Sequence, residues 1–185
     1  MALTQIDNVA ALVVIDMQKG IVALPLAHPA VEVAARVARL AGGFREKKLP
    51  VVLVNVAGAA PGRTDVKRNF SPPPDWAELI PELDRQVSDY TVTKMQVGAF
   101  YGTALEMILR RRGVTQVFMC GISTSVGVES TARNAYDHGY NVVFAADAMT
   151  DMSAENHRHS VEKVFPRFGE MVGTDEILTE LKKRS

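Results

Sequence analysis

Short unbroken apolar runs alternate with amphipathic stretches along most of this chain. Ala10–Ile15 (AALVVI) is continuous and apolar and ends at Asp16, and residues 51–54, behind Pro50, form a second such run. A run without polar alternation reads as a strand covered on both faces, the habit of parallel sheets. Between them Val33, Val37, Leu40 and Phe44 recur at helical spacing, with Arg36, Arg39 and Arg45 on other faces. This predicts a crossover helix whose end Gly42 and Gly43 weaken.

The pattern continues to the C-terminus. A third strand is expected at about 89–93, leading to Lys94. Thr103 opens a helix with Glu106 three residues on, a capping box, and Leu105, Ile108 and Leu109 form its buried stripe before Gly113 stops it. Strand four is expected at 116–119, a helix at 124–138 stopped by Gly139, and strand five at 141–145. Ser153 caps a helix running to Phe165 and Pro166, and 170–173 is a short sixth strand. Thr174 caps a last helix with Asp175 and Glu176 in its first turn and Lys182, Lys183 and Arg184 at its end, as the helix dipole favours. Repeated β-α units imply one α/β domain over residues 1–185: three-layered, doubly wound, with a mainly parallel six-stranded sheet in the order 3-2-1-4-5-6 and helices on both faces. The Gly- and Pro-rich stretch 57–75 is too long for an ordinary connection. It reads either as a solvated loop or as a cover for a site.

Composition narrows the class. The chain has 185 residues, 47% hydrophobic and only 6% aromatic, which suits an aliphatic core. Lys+Arg and Asp+Glu number 21 each, so no basic excess points to nucleic acid and no acidic excess to disorder. No signal peptide is visible, and no apolar run approaches the ~20 residues of a membrane span. One cysteine excludes an internal disulfide. These features lead to the expectation of a soluble cytoplasmic protein.

In open parallel sheets ligands bind beyond the carboxyl ends of the strands. That rule selects Asp16, Lys94 and the turn at 121–127. Asp16 alone reads equally as a cap or a loop acid, and Lys94 alone as a surface lysine. Together they would form an acid–base pair, the lysine lowering the acid's pKa. In the expected strand order they lie two strand spacings apart, roughly 10 Å. Ser123, Thr124 and Ser125 precede a helix start, whose N–H groups either hold an oxyanion or carboxylate or are simply capped. Gly127 in the first helical turns costs about 1 kcal/mol relative to Ala. With Ser130, Thr131 and Ala135 it forms a small-residue face suited to close packing. Cys120 reads as a buried structural thiol. Ser123 and Ser125 lack a recognisable partner histidine, His157 and His159 face different sides of a helix, and Asp147 and Asp151 read as loop and capping residues.

Three segments carry a resemblance: ALVVIDMQKG (11–20), VTKMQVGAFYGTALEMIL (92–109) and CGISTSVGVESTARNAYDHGYNVVFAADA (120–148). They are similar to the isochorismatase-like hydrolases, a superfamily that includes nicotinamidases, carbamoylsarcosine-type amidases and isochorismatases. The resemblance implies that Asp16 is the catalytic acid/base and Lys94 the catalytic lysine. It implies that the Ile122–Ser123 bond is cis and shapes an oxyanion site with Thr124, that Phe100 lines the pocket and that Gln18 lies at its rim. Two departures qualify it. Gly127 stands where most members carry a nucleophilic cysteine, and Asn55-Val56-Ala57 lacks the Asp/His set that holds zinc in nicotinamidases. The isochorismatase branch also has glycine at that position. The expected activity is therefore hydrolysis of a small-molecule substrate without a thiol, metal or cofactor, of the vinyl-ether kind, with Asp16 as general acid. The alternatives are a catalytically inactive binder of a small carboxylate or amide, and a hydrolase in which Asp16 activates water. The family likeness also implies a homo-oligomer, a dimer or higher, with neither nucleic acid nor membrane as partner.

Overall fold

The two apolar runs at 10–15 and 51–54 lie side by side, paired parallel. The computed structural model describes residues 3–65 and 71–184. Its elements follow one another as β1 (Ala10–Ile15), α1 (Lys19–Val22), α2 (Ala30–Glu46), β2 (Val51–Val56), β3 (Tyr90–Lys94), α3 (Leu105–Arg111), β4 (Gln116–Ile122), α4 (Glu129–Asp137), β5 (Asn141–Thr150), α5 (Ala154–His159), β6 (Glu170–Val172) and α6 (Thr174–Lys183). Every strand pair is parallel and the order is β3-β2-β1-β4-β5-β6, as the sequence pattern led us to expect.

Strands β1 and β4 are buried along their whole length because both faces of the sheet are covered. Leu12 and Val14 point to one face, against Val37, Leu40 and Phe44 of α2 and Leu181 of α6. Ala11, Val13 and Ile15 point to the other, against Leu105 and Leu109 of α3 and Ala132 and Ala135 of α4. Each face buries a phenylalanine pair: Phe44 edge-on to Phe118, and Phe144 stacked on Phe165 at 4.0 Å. No helix among the described residues is long and apolar enough to cross a membrane.

Several elements depart from the expected boundaries. Helix α2 does not weaken at its glycines but runs through them to Glu46. A Cβ on Gly43 would lie 2.6 Å from Leu178 Cδ2, so this glycine lets α6 pack against α2. The helix ends one turn later, where Lys48 takes the left-handed conformation at φ 55°. Strands β4 and β5 run on to Ile122 and Thr150. Met119 pairs with Phe144 but Gly121 with Met149, so β5 bulges between them. The bulge presents Asp147, whose Oδ1 accepts from the Thr174 N–H (2.8 Å) and hydroxyl (2.9 Å). Thr174 is therefore the first residue of α6, capped by Asp147, rather than the cap itself. The capping box at Thr103 is half made. Its hydroxyl accepts from Leu105 N–H at 3.1 Å, but Glu106 turns to Arg110 and Tyr140.

The helix expected at 124–138 opens as a wide π turn, Thr124–Val128, before α4 begins. Ser153 caps α5 by accepting from Asn156 N–H. A second π turn (Ser160–Val164) and a 3-10 turn (Phe165–Arg167) at Pro166 then replace the regular helix. Of the stretch 57–75, expected as a solvated loop or a cover for a site, residues 66–70 lie outside the described residues. The segment just after it lies across the start of α1: Lys19 N–H bonds the Glu78 carbonyl and Gly20 N–H that of Trp76.

Candidate active site

Three strand ends converge. Ile15, the last residue of β1, pairs with Val54 of β2 and Gly121 of β4. The next residue, Asp16, takes the left-handed conformation (φ 51°), which aspartate tolerates better than most residues. Its N–H still bonds the Val54 carbonyl at 2.9 Å. Lys94 pairs with Val56, two residues further along β2, so its side chain has length to spare for reaching back across β2. Its Nζ stands 2.9 Å from Asp16 Oδ2 and 2.6 Å from the Val97 carbonyl. The gap expected from strand spacing is thus closed by the lysine stem.

Glycines bring the third partner in. At Gly121 (φ 113°) a Cβ would lie 2.0 Å from the Ile15 carbonyl oxygen, so only glycine lets β4 pass so close to the end of β1. The chain then makes the cis Ile122–Ser123 bond and enters the π turn, in which Val128 N–H reaches back to the Ser123 carbonyl at 3.1 Å. Within the turn Gly127 lies against the pair. A Cβ there would be 3.2 Å from Asp16 Oδ2, 3.2 Å from Lys94 Nζ and 3.0 Å from Ile15 Cγ2. Asp16, Lys94 and Gly127 meet at one point.

Burial governs the charge of the acid. Asp16 is 6% exposed and Lys94 1%. Desolvation pushes the Asp16 carboxyl up from 3.8 to about 6, while the charge and hydrogen bond of Lys94 pull it down. The sequence pattern suggested that the lysine would lower the acid; here burial outweighs it. Oδ2 accepts from Lys94, and the buried Oδ1 has no partner among the described residues. A proton on this carboxyl therefore belongs on Oδ1, where it faces no competing donor.

Known proteins share this fold. The isochorismatase domain model matches residues 10–176. The chain belongs to the isochorismatase family. The isochorismatase family protein YecD of Escherichia coli O157:H7 is 44% identical over 182 residues, 92% of this chain and 95% of that one. An isochorismatase of Bacillus subtilis (strain 168) is 29% identical over 183 residues, 95% of this chain and 59% of that one. The solved structure of an isochorismatase family protein from Burkholderia thailandensis superposes with a TM-score of 0.91, at 40% identity, covering 97% of this chain and 98% of that one.

Not every residue marked from the sequence reaches the site of this isochorismatase-family chain. Gln18 is fully buried, and its amide is spent on the backbone: Nε2 donates to the Val56 and Trp76 carbonyls, and Oε1 accepts from Val56 N–H. It brackets β1 to β2 and to the segment at 76 rather than standing at a rim. Phe100 does not line the site either. Its ring stacks on His138 (5.1 Å) and packs near Tyr140 (6.1 Å), at the far end of α4 and beside the amino edge of the sheet. Ser125 N–H and hydroxyl both donate to Asp151 Oδ2 at 2.8 Å. That donor is therefore filled by the chain's own carboxylate and is not open to a substrate carboxylate. Asp151 is a cap, as its sequence position suggested.

Thr124 is fully buried, with its hydroxyl against the Thr150 carbonyl and His157. No local pattern in the chain signals the His157 contact, which spans 33 residues. His157 and His159 belong to no metal-holding cluster of three or more ligands among the described residues. Cys120 is fully buried, and burial pushes its thiol far above the usual range, which suits an inert core position. A cleft of about 260 Å³ opens at the amino edge of the sheet, away from Asp16. Its acid, Asp7, is already held by Gln5, Thr115 and Asn141.

Proposed function

We propose that this chain is a thiol-independent hydrolase that cleaves a vinyl ether of the isochorismate kind, with Asp16 as general acid. The observation that carries the reading is the Asp16 carboxyl itself: buried, raised to about 6, bonded to Lys94 through one oxygen and unpartnered at the other. Glycine at 127 leaves no nucleophile beside it, and the likeness to an isochorismatase over 95% of the chain supports the same class.

In this reading Asp16 transfers its carboxyl proton to the terminal carbon of an enolpyruvyl group. The double-bond electrons form the new C–H bond and leave an oxocarbenium ion. The Asp16 carboxylate, now paired with the Lys94 ammonium, stabilises that cation and then takes a proton from the water that adds to it. The hemiketal collapses to pyruvate and an alcohol, and Asp16 is ready to donate again. General acid–base catalysis of this kind contributes about 10²–10⁴-fold.

The test is pyruvate release from isochorismate. Asp16→Asn should lose about 10²–10⁴-fold in turnover while circular dichroism reports a folded protein. Undiminished release by that variant would rule the mechanism out. A second reading follows from the same acid: above pH ~6 Asp16 is mostly ionised and would serve as a base that activates water on another small substrate. The two readings differ in sign. Acid catalysis falls as pH rises through about 6, and base catalysis rises. Ligand binding without turnover on isochorismate or on an ester and amide panel would instead favour an inactive binder.

A further inference from the structure

The turn that carries Gly127 is fastened from outside the site. At its first residue the Thr124 hydroxyl lies 3.0 Å from the Thr150 carbonyl and 2.8 Å from His157 Nδ1. A hydroxyl has one hydrogen to give, and a carbonyl can only accept. The Thr124 hydrogen therefore goes to Thr150, and His157 must offer Nδ1–H to the Thr124 oxygen. That assigns the tautomer: hydrogen on Nδ1, lone pair on Nε2.

The surroundings favour the neutral ring. Burial and the neighbouring His28 push the His157 pKa below its usual value, against the pull of Asp151. The His28 ring stands edge-on at 4.7 Å and is itself tied to the Thr150 hydroxyl at 3.0 Å. One turn further on, Ser160 donates to Glu129 Oε2 at 2.7 Å, and Glu129 also holds Arg133. Helix α5 and the turn after it thus grip the site turn at both ends, Thr124 and Glu129.

We propose that His157 is a positioning residue. By donating from Nδ1 to Thr124 it holds the turn that sets Gly127 against Asp16 and Lys94, without touching the reacting groups. The contact survives protonation of the ring, which adds a hydrogen at Nε2 and leaves Nδ1–H in place. Loss of the donor leaves a buried hydroxyl oxygen short of a partner and the turn less constrained. A displacement of about 1 Å near reacting groups costs up to about 100-fold in rate.

Nitrogen-resolved NMR of the full chain tests the tautomer: at neutral pH His157 Nδ1 should be the protonated nitrogen and Nε2 the bare one. The reverse pattern overturns the proposal. His157→Asn offers an amide N–H near the position of Nδ1, and His157→Leu offers none. The amide signals of Ser123 and Gly127 should move in the leucine variant and stay close to wild type in the asparagine variant; movement in both, or in neither, overturns it. The kinetic arm alone rests on the acid-catalysis reading. There kcat for isochorismate should fall about 10- to 100-fold in His157→Leu with KM little changed, and recover to within about threefold of wild type in His157→Asn. Unchanged kcat in the leucine variant counts against the proposal. An inactive wild-type protein would remove the functional reading and leave the NMR arms to decide this one.

Discussion

At the scale of the residue, Asp16 is held between two opposed effects. Burial disfavours its charged form and Lys94 favours it, and burial prevails. Lys94→Met removes the opposing effect, so the Asp16 pKa should rise above its present value of about 6. A protonated acid carries no buried charge, so the variant avoids the cost of an unpaired carboxylate. In the acid-catalysis reading the active fraction is the protonated one, lost as pH rises through the Asp16 pKa. The alkaline limb of a kcat profile should then sit at higher pH in Lys94→Met than in wild type, even if its plateau is lower. A limb displaced to lower pH would mean that the titrating group is not Asp16. Gly127 has a physical reason at the same scale. Any Cβ there crowds both members of the pair at 3.2 Å.

At the scale of the element, neighbouring glycines in one helix have different reasons to exist. Gly42 has nothing within 4 Å of a built Cβ, whereas Gly43 faces Leu178 Cδ2 at 2.6 Å. Gly42→Ala should therefore stabilise the protein, by up to about 1 kcal/mol from helix propensity. Gly43→Val should destabilise it by about 1–3 kcal/mol through overpacking between α2 and α6. Urea midpoints at a common slope check both, and the same sign for the two variants would refute the account. The periodic pattern located α2 well, because six of its residues are buried on one stripe. It misplaced the stop because a glycine's propensity is local, while the reason for Gly43 sits on another helix. The π turn at Thr124–Val128 was read as ordinary helix for a similar reason: its widening is supported by Asp151, Thr150 and His157, none of them nearby in sequence.

At the scale of the molecule, the site depends on how closely β4 runs beside β1. Gly121→Ala would set a Cβ 2.0 Å from the Ile15 carbonyl oxygen, a backbone atom that cannot rotate away. Separating the strand ends would pull the turn off Asp16. The variant should lose activity and cooperative thermal unfolding together, whereas Gly139→Ala, also at positive φ but with open space around it, should pay only a local backbone cost. A fully stable Gly121→Ala protein would show that the two strands need not touch there.

The strands, their parallel habit and the residues at three of their carboxyl ends were legible along the chain, because these follow from apolar runs and from the position of Asp16, Lys94 and Gly127. The sequence also carried the family, through motifs that are contiguous. Which groups share that point and which do not was settled by long-range packing. Phe100 turned away to His138, Gln18 was spent on backbone, Asp151 filled the Ser125 N–H, and His157 reached Thr124 across 33 residues. The physical reason is the range of each effect. Hydrophobic periodicity is a local property of the chain, whereas side-chain direction, desolvation of an acid and the partner of a buried hydroxyl are fixed by whichever distant segment packs against them.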